Sequence, residues 1–362
     1  MRTVGVEEEL LLVDPETGVP ASVAGTVLRH AANASPLSGE IEAELQQQQI
    51  EVETSPTRNL ADLDRQVRDW RVRADELARR SGARAVALAT SPLPIDPQTT
   101  IKPRYQAMVE HFGLTTMEQL TCGCHVHVGV DSDHEGVAVL DRIGIWLPTL
   151  LALSANSPFW QGRDSGYASF RSQVWSRFPS SGPTRQFGSA ETYRRHVDDL
   201  LGTEVLLDGD MVYFNARLSR HYPTVEVRVA DVCTRVDDTV MIAALVRALV
   251  QSAAAEWADG TPSPAVDSEQ LRLASWRAGR SGLTGHLVDP RTSRPAPARE
   301  VVEQLLDHVS EALIAAGDAT RVRDGVERVF DGGTGADGQR RTWARTGDLA
   351  EVVRDAARTT LR

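Results

Sequence analysis

The sequence predicts an α+β protein, and three observations carry that reading. Segments whose side chains alternate in character, the mark of strands, recur through the first 231 residues. Segments with apolar residues at helical spacing lie between them. From Glu269 onward the pattern is helical. At 362 residues the chain can bury one large core or two ordinary ones.

The first strand is Val4 to Val13, ended by the turn residues Asp14-Pro15-Glu16-Thr17-Gly18. Alternation puts Glu7 and Glu9 on one face and Glu8 on the other, with the Cα atoms of Glu7 and Glu9 roughly 6.5–7 Å apart. Two carboxylates so placed resist ionising together unless a cation joins them. The alternative is a strand edge with solvated charges. A short helix is expected from Val23 to Ala34. Ile50 to Thr54 alternates again, with Glu51 and Glu53 sharing a face, and a second carboxylate pair strengthens the metal-site reading.

Leu60, Leu63, Val67, Trp70, Ala74 and Leu77 predict a helix to Arg80, ended by Gly82. Ala83 to Thr90 reads as a buried strand, and Tyr105 to Phe112 as a helix. Thr121 to Asp131 reads as a strand on which Cys122 and Cys124 face away from His125 and His127. One zinc ion cannot easily collect ligands from both faces, so the cysteines are read as small core side chains. The histidines lie between Gly123 and Gly129, an open face that a ligand could approach closely.

Gly136 to Ser154 is apolar and helical, with Pro148 inside it. Residues 157–183 form the longest irregular stretch, rich in aromatics and carrying Arg163, Arg171 and Arg177. A loop of that length suits a lobe that covers substrate, or a packed structural excursion. Met211 to Leu218 and Thr224 to Asp231 read as a hairpin whose second arm places Glu226 and Arg228 on one face. A long buried helix follows, capped by Asp237 or Asp238 and running through Trp257. Residues 260–268 read as a linker. Beyond it helices are expected to about Arg277, from Arg299 to Ala316, from Ala319 to Phe330 and from Thr346 to Leu361. Gly333-Thr-Gly335-Ala-Asp-Gly338 spells Gly-x-Gly-x-x-Gly but follows a helix, so it is read as a connector and not as a dinucleotide loop.

Composition narrows the function. A net charge of −11 argues against a general nucleic-acid binder. Lys102 is the sole lysine, so no P-loop exists. Three cysteines are too few for a disulfide framework and fit a reducing cytoplasm. No basic-then-apolar leader and no apolar run of membrane-spanning length is seen.

The set Glu7/Glu9, Glu51/Glu53, His125/His127 and Glu226/Arg228 resembles the type 2 glutamate–cysteine ligases, carboxylate–amine ligases distantly related to glutamine synthetase. The resemblance also rests on Gly5-Val-Glu-Glu-Glu-Leu, Cys122-Gly-Cys-His-Val-His-Val-Gly, Gly166-Tyr-Ala-Ser-Phe-Arg-Ser-Gln-Val-Trp-Ser-Arg, Trp276-Arg-Ala-Gly-Arg-Ser-Gly-Leu and Gly333-Thr-Gly-Ala-Asp-Gly-Gln-Arg-Arg. It implies one catalytic domain over residues 1–362, with residues 269–362 its mostly helical C-terminal part. Its core would be a curved antiparallel sheet forming an active-site funnel, with helices on the outer side. ATP would enter one end, with Mg²⁺ or Mn²⁺ between nucleotide and acidic strands.

Carried over residue by residue, Glu7, Glu9 and Glu51 resemble metal ligands, and Glu226 and His125 resemble ligands of the ion at the γ-phosphate. Glu53 joins the candidate ligands although the family pattern has no fixed acid there. Arg228 resembles the phosphate-stabilising arginine, with His127 and Arg171 as further catalytic candidates. Arg177, Arg277 and Arg280 are candidate nucleotide or substrate contacts. The implied reaction joins a carboxylate, glutamate in the family, to an amine such as that of cysteine. The implied assembly is a homodimer. A phosphotransferase on the same general fold and a non-catalytic metal or nucleotide sensor are the alternatives.

Overall fold

The computed structural model describes residues 1–33 and 39–362; the last residue of the first expected helix, Ala34, lies outside them. The main sheet has seven strands: β1 (Val4–Val13), β2 (Gly39–Ala43), β3 (Gln49–Thr54), β4 (Arg84–Val86), β5 (Gly123–Gly129), β8 (Ala216–Leu218) and β9 (Thr224–Asp231). Between β5 and β8 runs a two-stranded ribbon, β6 (Phe159–Trp160) with β7 (Arg163–Asp164), and a second ribbon follows near the C-terminal helices, β10 (His286–Val288) with β11 (Pro295–Pro297). The main order is β2-β3-β1-β5-β9-β8, with β4 beside β1, and every pairing is antiparallel. The sheet stays open, and the helices pack against it, as the α+β expectation requires.

The alternation of β1 divides the molecule. Val4, Val6 and Leu10 face the core, with Cys124, Val126, Val128, Val225 and Val227 on the neighbouring strands; all are buried. The helices Leu60–Arg80 and Val236–Ala258 cover this side. Glu8 points the same way and is met there by Arg71, fully buried, at 2.6 and 2.8 Å. Arg71 also donates to the carbonyls of Cys233 (2.7 Å) and Thr234 (2.8 Å), and Thr239 Oγ1 donates to Glu8 at 2.7 Å. One ion pair therefore ties the first strand to both covering helices.

Several expectations shift. The hairpin's first arm is only three residues long: Gly209–Met211 forms a 3-10 turn, and Phe214 bridges to Gly182. The expected helix Gly136–Ser154 starts at Asp133, capped by Ser132, and breaks through a 3-10 turn at Gly144–Trp146. Pro148 then sits in the first turn of Leu147–Ser154, where its missing N–H costs nothing. The glycine-rich connector is instead a helix start: Thr334 and Asp337 form a capping box for Gly335–Thr346. Two helical stretches, Asp133–Ser154 and Val236–Ala258, are long and apolar enough to cross a membrane, although no uninterrupted apolar run is. Both are buried inside the fold, as core helices are.

Candidate active site

Register assembles the front face of the sheet. Glu7 lies opposite Glu53 on β3 and His125 on β5, and Glu9 lies opposite Glu51. His127 lies opposite Glu226 on β9, and Glu226 opposite Arg217 on β8. Glu42 and Glu40 on the edge strand β2 continue the rows beside Glu51 and Glu53. Residues far apart in the chain thus share one surface.

Three groups there could each hold a cation: Glu7 with His127 and Glu226, Glu7 with Glu51 and His125, and Glu9 with Glu44 and Glu51. Their ligand atoms lie within 4.8 Å of one another in each group. His125 Nδ1 is 3.1 Å from Glu7 and 3.8 Å from Glu51. His127 Nδ1 is 3.0 Å from Thr224 Oγ1, while its Nε2 stands 3.0 Å from Glu7 Oε1. That Nε2 is buried yet forms no hydrogen bond, so it lies beside the carboxylate without pointing at it. Two ligand atoms of one ion would stand this way. Glu226 is grouped with His127 here, whereas the resemblance joined it to His125.

The electrostatics fit the same interpretation. Burial, with Glu44 adding repulsion, pushes the Glu9 carboxyl up to about 7. Burial and the charges of Glu44, Glu7 and Glu9 raise Glu51 well above the carboxylate range. Glu7 is buried too, but the hydrogen bond from His125 and the close approach of His127 hold it well below its ordinary value. Burial also opposes ionisation of Glu226, and Arg228 and Arg217 overcome it. Burial, then the Arg228 charge, depresses His125 to about 4, leaving a neutral imidazole free to act as a ligand. The all-carboxylate set suits Mg²⁺, and the imidazole-containing sets also suit Mn²⁺.

A cavity of about 230 Å³ lies on this face. Glu7, Glu9, Glu51, His125, His127, Glu226 and Arg228 line it, together with Glu44, Arg104, Tyr105, Trp175, Tyr213 and Arg217. A second cavity, about 790 Å³, is lined by Gly5, Gly39, Glu53, Arg58 and Gly129 among others, and among the described residues shares with the first only Glu7, His127 and Tyr222. Glu53 belongs to none of the three cation groups; it accepts from Tyr222 Oη at 3.4 Å.

Other candidates stand elsewhere. Arg171 is buried behind Gly123 and lines neither cavity. Arg177 pairs with Glu118 at 2.7 Å outside both cavities. Arg277 and Arg280 lie on the helix Ser268–Ser281, also outside both; Arg280 donates to the Gly166 carbonyl and covers the Tyr167 ring at 5.5 Å. The lobe's contribution to the first cavity is Trp175 with Phe178. Glu44 and Arg217 were not anticipated. The run Glu40-Ile-Glu-Ala-Glu44 carried the alternation that could have flagged Glu44.

All three cysteines are buried and free, and none belongs to a metal-competent group among the described residues. Replacing Cys122 and Cys124 together with alanine is expected to cost about 1 kcal/mol per site. Melting temperature should fall while turnover stays; stoichiometric zinc lost with these cysteines would refute the packing role.

Residues 3–355 match the model of glutamate–cysteine ligase family 2. A Streptomyces coelicolor protein with the provisional name glutamate–cysteine ligase 2 is 53% identical over 360 residues, 99% of each chain. Among solved structures, a glutamate–cysteine ligase from Francisella tularensis in complex with AMP is similar with a TM-score of 0.69 at 13% identity, over 99% of this chain and 88% of that one. A bifunctional glutathione synthetase from Pasteurella multocida is similar with a TM-score of 0.71 at 18% identity; 99% of this chain matches, spanning 52% of the Pasteurella protein's length. The solved structures support the fold, and the sequence matches decide the family: the chain belongs to glutamate–cysteine ligase family 2.

Proposed function

We propose that this chain, an ATP-dependent C–N ligase by family, converts the carboxylate of an amino acid, glutamate in the first instance, into an acyl phosphate. An amine, that of cysteine or another amino compound, then attacks it. A carboxylate is a poor acyl donor, which is why phosphorylation must come first. The observation that carries the reading is the pair of flanking cation groups, Glu7/His127/Glu226 and Glu9/Glu44/Glu51, with Arg228 beside them.

Phosphoryl transfer needs positioning and charge neutralisation more than covalent catalysis. Divalent ions held by the two groups would supply most of that neutralisation. Arg228 supplies the rest: it lines the cavity, with Glu226 engaging its Nη1 and the guanidinium carrying the charge that a phosphoryl group would meet. Arg217, 2.7 Å from Glu226, holds that carboxylate in place. Glu7 and His127 border both cavities, so nucleotide in the larger one and carboxylate in the smaller would meet at this row. Trp175 and Phe178 line the smaller cavity, where they would help to exclude the water that hydrolyses an acyl phosphate.

The test is isotopic. With ¹⁸O-labelled carboxylate, ATP cleavage should require the acid, be stimulated by the amine, and yield ADP, an amide and ¹⁸O-labelled phosphate. A stable phosphorylated amine or guanidine with no phosphate released would identify a phosphotransferase instead. Absence of ATP turnover with any acid and amine would leave the sensor reading.

A further inference from the structure

Strand β9 carries one residue more than its partner. Val126 pairs with Val227 and Cys124 with Ala230, so Arg228 and Val229 together stand against His125. Such a bulge disrupts the ladder locally and re-aims a side chain, and the side chain here is Arg228. The bulge carbonyls are met from the lobe. Arg171 Nη2 lies 3.4 Å from the carbonyl oxygen of Arg228, and Nη1 lies 3.5 Å from that of Val229.

Arg171 is 3% exposed. A cation so buried is expected to sit on a carboxylate, yet the nearest, Asp231, is 3.9 Å away. Asp231 is already engaged by Ser157 Oγ (2.7 Å), Ser169 Oγ (2.9 Å) and the Asn156 amide (2.8 Å). Trp175 completes the arrangement, because the guanidinium carbons of Arg171 and Arg228 both lie 5.9 Å from its ring. Gly123 makes room: a Cβ there would fall 2.2 Å from Arg171 Nη2.

We propose that Arg171 is a positioning residue that clamps the bulge carbonyls of Arg228 and Val229 and, through the shared Trp175 ring, fixes the direction in which Arg228 presents its guanidinium. The inference rests on the reading of Arg228 as the phosphoryl-facing arginine. It gives the lobe a part in the chemistry without contact between Arg171 and substrate.

Arg171→Met and Gly123→Ala test it, each alone and combined with Arg228→Met. Gly123→Ala keeps every charge and chiefly displaces the guanidinium, its added Cβ falling 2.2 Å from Arg171 Nη2 against 3.2 Å from His125 Nε2, so it serves where Arg171→Met does not fold. Misplacing a reacting group by about 1 Å can cost ~10²-fold in rate, so kcat should fall by ~10- to 100-fold in either single variant. KM for ATP and for the acid should hold within about twofold, because the lost interaction belongs to the transition state. In the Arg228→Met background neither change should lower single-turnover rates further, since both act through the same group. Losses that multiply with Arg228→Met would show an independent structural role and overturn this proposal alone. Full kcat in a folded Gly123→Ala protein would do the same. If Arg228→Met itself turns over normally, the phosphoryl role of Arg228 is wrong and the proposal falls with it.

Discussion

Arg228→Lys should lower turnover by ~10²- to 10³-fold, the range seen when a preorganised transition-state donor is removed. Charge is conserved, so the loss isolates geometry. The guanidinium gives one nitrogen to Glu226 in the cavity wall, and its central carbon lies 5.9 Å from the Trp175 ring. An ammonium on a flexible stem can satisfy the carboxylate or the phosphoryl oxygen, but it is not a fork that holds both. Stability should change little, because Glu226 keeps Arg217 as a partner. Steady-state kinetics with a parallel thermal melt separate the two effects. Wild-type turnover in a folded Lys variant would remove Arg228 from the mechanism.

The largest effect on stability is expected at the opposite face. Arg71→Ala should cost about 3–5 kcal/mol, because it leaves the Glu8 carboxylate buried without its partner. Urea unfolding followed by fluorescence would read this as a lower midpoint with little change in slope. The double variant Arg71→Met with Glu8→Leu should recover much of the loss, since apolar side chains of similar volume replace such a pair at little or no cost. A single Arg71→Ala variant as stable as the parent would mean that water reaches Glu8.

How much of this was legible in the sequence follows from the kind of information each feature needs. Strand parity is local, so the separation of Glu7 and Glu9 from Glu8, and of the histidines from the cysteines, could be read directly from the alternation. Pairing is not local. Nothing in Arg71 distinguishes it from the solvated arginines of an amphipathic helix until Glu8 is placed beneath it. The alternation of Glu40, Glu42 and Glu44 puts Glu44 on an acidic face, but it lies just past the end of a five-residue edge strand, and its place beside Glu9 and Glu51 shows only in the folded chain. The bulge at Arg228 was invisible because an extra residue shows only against a partner strand. Arg277 and Arg280 carry a motif of the family but lie outside both cavities. At Thr334 the capping signal was present, and the surrounding glycines obscured it.

The narrow boundary between the two cavities has a thermodynamic consequence. Among the described residues, Glu7, His127 and Tyr222 are the only ones both cavities touch, and His127 packs edge-on to Tyr222 at 6.0 Å. A ligand on one side therefore has a short, direct route by which to shift the charge and orientation felt on the other. Any such influence must be mutual: whatever factor a nucleotide applies to the affinity for the acid, the acid applies to the affinity for the nucleotide. A preference for having both ligands aboard, if binding on the two sides is coupled, would be written into three side chains at a shared wall.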